Sequence, residues 1–199
     1  MDYLEKWLIF YNEAKNLALL TIAKNCSESI KQGVTKDFVY YDTIDLPKDT
    51  TAIVIFRDPY DRWISGTVEY FAYPESVSYL STSEHGVQLN LQQWLNSEPM
   101  PWDYHTSLQS TVYNYSNLDL KPYWFCNSVL EDINKDYNCF DEILVTHQEK
   151  LRKKYKKIVR GFIDKNQKVV ESKLSTLYNA DYKFFNTLKF VNRNVATCL

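Results

Sequence analysis

The stretch Thr51-Ala-Ile-Val-Ile-Phe-Arg-Asp-Pro-Tyr-Asp-Arg-Trp-Ile-Ser65 decides the fold. Ile53, Val54, Ile55 and Phe56 form an unbroken apolar run, the pattern of a strand buried on both faces. Arg57 ends it. Asp58 is then a good helix N-cap, Pro59 suits the first helical position, and Asp61 places negative charge in the first turn. The stretch therefore predicts a buried strand, a tight turn and a helix that runs to about Tyr70 or Phe71.

The same pattern occurs upstream. Leu17 to Ile22 (LALLTI) is a second continuous apolar run. A polar turn follows, then a short helix from about Ser27 to Gln32, stopped at Gly33. Phe38 to Tyr41 reads as another strand and Pro47 to Thr50 as a turn. The spacing of Leu4, Trp7, Leu8 and Tyr11 predicts a first helix over Asp2 to Ala14. Further helices are expected at Leu89 to Leu95 and His105 to Tyr113, and a late strand at Glu142 to Thr146. Two helices are expected to close the chain, the last with Leu174, Leu177, Tyr178, Asp181, Phe185 and Leu188 on one stripe. Buried strands alternating with helices predict a single α/β domain over residues 1–199, with a mainly parallel central sheet flanked by helices. In such sheets ligands bind at the carboxyl ends of the strands, where both turns lie.

The chain has 199 residues, enough for one domain with a real core, and 45% of them are hydrophobic. The net charge of −2 gives no electrostatic footprint for nucleic acid. The basic run from Lys150 to Lys157 reads either as a solvated helix face or as a local anion site. Cys26, Cys126, Cys139 and Cys198 show neither C-x-x-C spacing nor metal-ligand spacing with the histidines, so reduced thiols, no metal and a cytoplasmic setting are expected. The charged start MDYLEKWLIFYNEAK does not read as a signal peptide. No apolar run approaches the ~20 residues of a membrane span, so a soluble protein is expected.

Two turns carry the chemistry. In the first, Lys24 follows a buried strand, and Ser27 and Ser29 open a helix. Free N–H groups and hydroxyls there suit a phosphate, and Lys24 adds a point charge. No glycine lies between residues 20 and 32, which excludes a Walker A loop. In the second, Arg57 can fork onto a phosphate while Ser65, eight residues on, donates from the helix. Arg62 either pairs with Asp58 or Asp61 or lines the site.

Together the turns resemble the sulfotransferases that use 3′-phosphoadenosine 5′-phosphosulfate, in their carbohydrate (heparan/chondroitin-type) branch. The family pattern P-K-x-x-[ST]-[ST]-[ST] appears here as Ala23-Lys24-Asn25-Cys26-Ser27-Glu28-Ser29. The pattern R-D-P-x-x-R-x-x-S is complete as Arg57, Asp58, Pro59, Arg62 and Ser65. His105 and Gln109 are similar to an H-x-x-x-Q segment, and Leu177, Tyr178, Asp181, Phe184 and Phe185 to the family's closing motif. Ala23 replaces a proline, and Glu28 stands where a hydroxyl or a larger side chain is usual, beside a phosphosulfate that a carboxylate would repel.

The resemblance implies a P-loop-like sulfotransferase fold, transfer of a sulfuryl group to an acceptor hydroxyl or amine on a carbohydrate, and no metal. It implies that Lys24, Asn25, Cys26, Ser27, Glu28 and Ser29 surround the 5′-phosphosulfate, with Lys24 stabilising the leaving oxygen, and that Arg57 and Ser65 hold the 3′-phosphate. A base must take the acceptor's proton. His105, Asp42 and Asp45 are the candidates, while His85 and His147 read as structural. Two other readings stand beside this one: a non-catalytic nucleotide- or glycan-binding module on the same fold, and a small P-loop nucleotide kinase.

Overall fold

A computed structural model describes residues 8–42, 44–72, 83–96, 106–115, 117–143 and 150–192. Five strands form one mixed sheet: β1 (Leu8–Asn12), β2 (Leu17–Thr21), β3 (Val39–Tyr41), β4 (Thr51–Phe56) and β5 (Asp119–Trp124). Their order is β3-β1-β2-β4-β5. β2, β4 and β5 pair in parallel, with Leu17 opposite Thr51 and Thr51 opposite Asp119. β1 runs antiparallel to both β2 and β3, so four of the five strands share one direction.

Helices flank this sheet: α1 (Ser27–Gly33), α2 (Pro59–Ala72), α3 (Glu84–Leu95), α4 (Val129–Tyr137), α5 (Lys150–Lys165), α6 (Gln167–Leu177) and α7 (Asn179–Phe185). A 3-10 helix covers Gln109–Tyr115. The alternation of β4 explains the layering. Ile53 and Ile55 pack on one face with Ile30 of α1 and Val129 and Ile133 of α4. Ala52, Val54 and Phe56 pack on the other with Val112 and Phe185. Trp63, Val68 and Phe71 of α2 join α3, α5 and α6 in a separate helical core, where Trp63 stacks on Trp94.

The strand–turn–helix around Arg57 matches its sequence reading. Asp58 caps α2, its Oδ1 accepting the Tyr60 and Asp61 backbone N–H groups at 2.9 and 3.2 Å. Other expectations are corrected. Leu8 to Asn12 is a strand, not part of a helix over Asp2 to Ala14, because Leu8-Ile9-Phe10-Tyr11 is a continuous apolar run that pairs back onto β2 through the turn at Glu13–Asn16; residues 1–7 lie outside the described residues. Instead of an α-helix over His105 to Tyr113, the described part holds the 3-10 helix. Glu142 and Ile143 form no strand, and 144–149 lie outside the described residues. Three helices, not two, end the chain, since the stripe breaks between α6 and α7 at Tyr178.

Gly33 has a packing reason beyond ending a helix. A Cβ there would lie 2.1 Å from the Glu142 carbonyl oxygen, and the Gly33 carbonyl accepts the Asp141 N–H at 2.9 Å. The obstacle is backbone, so it cannot swing away. Gly33→Ala is expected to destabilise the protein by about 1–3 kcal/mol, the usual cost of overpacking. A chemical denaturation midpoint equal to that of the parent protein would disprove the close approach.

Candidate functional site

A cleft of about 520 Å³ opens where β2, β4 and β5 deliver their carboxyl ends. Its walls include Lys24, Cys26, Ser27, Glu28 and Ser29 from the first turn, Arg57 and Ser65 from the second, Phe125 and Cys126 after β5, and Arg152, Lys153 and Lys156 from α5. Two turns separated in sequence by α1, β3 and β4 thus face one another across adjacent parallel strands. The volume is in the range of pockets that hold a small organic ligand.

The first turn is built under strain. Lys24 and Cys26 both adopt positive φ, 67° and 64°, a region that residues other than glycine avoid. Between them Asn25 is fully buried. Its Nδ2 donates to the Ile55 carbonyl at 2.8 Å and to Gln109 Oε1 at 2.7 Å. The Asn25 side chain therefore ties the turn to β4 and does not line the cleft. The Cys26 thiol is pushed up to about 11 by burial, so it is a thiol at neutral pH. Glu28 is exposed in the first turn of α1, at the cleft wall.

Lys24 turns its ammonium to Glu69 of α2, 2.9 Å away. Glu69 is held in turn by Arg152, whose Nε and Nη2 donate to its two oxygens at 3.0 and 2.8 Å. Burial pulls the Lys24 amine below the usual lysine value, and the charge and hydrogen bond of Glu69 oppose that pull. Burial alone would push the Glu69 carboxyl up, but Arg152 and Lys24 outweigh it and hold the group below the usual carboxylate range.

Arg57 stands differently. Its Nη1 donates to the Lys24 carbonyl at 3.3 Å, and its guanidinium lies over the Phe125 ring, 4.6 Å from the centroid. Its Nε is buried without a hydrogen-bond partner, and Arg57 makes no ion pair among the described residues. Burial pulls its pKa below the usual arginine value. Lys156, on the same cleft, is also lowered, first by burial and then by the charges of Arg160 and Arg57. Arg57 and Lys156, neither in an ion pair among the described residues, leave positive potential on their part of the cleft, which suits an anion.

Arg62 neither pairs with Asp58 or Asp61 nor lines the cleft. It is fully buried, donating from Nε to the Ala23 carbonyl at 3.0 Å and from Nη1 to the Ser107 carbonyl. It thus holds the base of the first turn against the segment before the 3-10 helix. Gln109 does the same for the second turn. Its Nε2 donates to the Arg57 carbonyl at 2.8 Å, and its Oε1 accepts the Arg57 N–H at 3.0 Å. Asp181 accepts the Gln109 and Ser110 N–H groups at 3.0 and 2.8 Å, and Tyr178 donates to the Thr106 carbonyl at 2.7 Å.

Of the residues singled out in the sequence, Lys24, Cys26, Ser27, Glu28, Ser29, Arg57 and Ser65 meet in the cleft, and Asn25 does not. Asp42 and Asp45 are exposed and lie on or just after β3, at the sheet edge beyond β1; neither lines the cleft. His105 and His147 lie outside the described residues, and His85 is exposed in the first turn of α3. Sequence reasoning missed Glu69 and its tie to Arg152. The available signal was that Glu69 lies one helical turn beyond Ser65, on the same face of α2. Comparison with family models, with curated proteins and with solved structures returns no match.

Among the described residues no helix is long and apolar enough to cross a membrane.

Proposed function

We propose that this chain is a sulfotransferase that takes 3′-phosphoadenosine 5′-phosphosulfate as donor, with a carbohydrate hydroxyl or amine as acceptor. The observation that carries the reading is the convergence of Lys24, Ser27 and Ser29 with Arg57 and Ser65 on one cleft at the carboxyl ends of parallel strands. The sequence reading placed a 5′-phosphosulfate on the first set and a 3′-phosphate on the second. Arg57, with a buried Nε that lacks a partner and no carboxylate in contact, suits a phosphate.

In this reading the sulfur–oxygen bond to the 5′-phosphate breaks as the acceptor oxygen or nitrogen bonds to sulfur. The bonding pair stays on the phosphate oxygen, where Lys24 stabilises the charge, and the acceptor's proton goes to a base. The residues' work is positioning and charge stabilisation. The cationic wall of Arg152, Lys153 and Lys156 adds positive potential to the same cleft.

The carboxylate of Glu28 on the cleft wall favours a second reading, a binding module that holds the nucleotide without turnover. Radiolabelled donor separates the two. The expected result is label moving to one of a panel of glycan, tyrosyl-peptide and small-alcohol acceptors, or to free sulfate, with Lys24→Ala at least ~100-fold slower. No movement of label from a donor that binds would leave only the binding module. Binding of ATP that depends on Mg²⁺, with no affinity for the bisphosphate, would instead favour a nucleotide kinase.

A further inference from the structure

We propose that Glu69 is the positioning residue for Lys24, a fixed counter-ion that keeps the lysine charged and aimed along the cleft. The inference rests on the proposed donor site for what Lys24 does, but not for how Lys24 is held.

Three observations lead to it. Lys24 leaves a strained turn with φ of 67°, so its backbone alone does not dictate where the long side chain goes. Its only ion pair within 4 Å among the described residues is to Glu69. Glu69 is itself immobilised, because Arg152 grips both of its oxygens from α5. A bidentate arginine clamp fixes a carboxylate in direction as well as place. The order of the chain is therefore Arg152 to Glu69 to Lys24, from a helical core outward to the strained turn.

The charge argument runs the same way. Lys24 is buried deeply enough that desolvation favours its neutral amine, and nearby Arg152 adds to that tendency. A neutral amine cannot stabilise a leaving phosphate oxygen. Glu69 opposes that tendency, while Arg57 and Lys156 form no ion pair among the described residues.

Trace labelling of the full chain with acetic anhydride, read lysine by lysine by mass spectrometry across pH, tests this without donor or acceptor. Glu69→Gln keeps the shape and removes the charge. Lys24 is then expected to acetylate about tenfold faster at pH 8, the equivalent of one pKa unit. Glu69→Asp keeps the charge and should leave the rate within about threefold of the parent protein. Thermal melts establish that each variant is folded. An unchanged Lys24 rate in Glu69→Gln overturns the proposal, and so does an equal acceleration in Glu69→Asp, which would assign the effect to shape. The outcome is independent of nucleotide binding. A folded parent protein that ignores the bisphosphate removes the donor reading, while the labelling result still decides how Lys24 is held.

Discussion

Saturating 3′-phosphoadenosine 5′-phosphate is expected to raise the melting temperature by roughly 5–10 °C, and Arg57→Ala to erase the rise. A ligand at ~100 times its dissociation constant adds about 2.7 kcal/mol to the folded state. For a chain of this size each kcal/mol moves the midpoint by roughly 2–4 °C. The variant is a clean probe because the Arg57 backbone, not its side chain, makes the structural bonds to Gln109. Alanine removes the guanidinium, its stacking on Phe125 and its bond to the Lys24 carbonyl, and leaves that clamp in place. ATP, which lacks the 3′-phosphate, should shift the parent protein little. A parent protein that melts at the same temperature with and without the bisphosphate would remove the donor site and the sulfotransferase reading with it.

β2, β4 and the turns that follow them were legible because each is a local event. A buried apolar run must end, and an Arg-Asp-Pro or a Lys followed by serines marks where. What joins the turns was not legible, because it depends on contacts between distant segments. Asn25 was expected beside the ligand from its place in the motif, and its Nδ2 donates to Ile55 and Gln109. Arg62 read as a partner of Asp58 or Asp61 or as a site cation, yet two carbonyls from separate segments capture it in the interior. β1 was misread because Leu4, Trp7, Leu8 and Tyr11 satisfy a helical spacing, while the hairpin partner that overrides it is β2. β5 was missed for a different reason. Asp119, Lys121 and Pro122 break its apolar pattern, which the fold tolerates because β5 is the edge strand among the described residues. Its free side is closed by Asn192, which accepts the Trp124 N–H at 2.8 Å and donates to the Trp124 carbonyl at 3.0 Å.

The largest stability loss is expected from Gln109→Ala, a residue that does not line the cleft. Gln109 is fully buried and makes three side-chain bonds: to the Arg57 carbonyl, from the Arg57 N–H and from Asn25 Nδ2. Its removal leaves those groups without their partner away from water, each at a cost of about 1–3 kcal/mol, together with a cavity. Local relaxation and entering water recover part of this, so a net loss of about 3–5 kcal/mol is expected from equilibrium denaturation. Gln109→Glu should also be costly, since a carboxylate cannot donate to the Arg57 carbonyl, and a buried charge is added. The functional consequence distinguishes this clamp from ordinary core packing. The Gln109 side chain bonds to both turns, to Asn25 in the first and to the Arg57 backbone in the second. Its loss should therefore weaken bisphosphate binding well below the melting temperature, where a core truncation of comparable cost such as Leu91→Ala, in the helical core away from the turns, should not. Equal nucleotide affinity in the two variants would mean that the turns hold their positions without Gln109.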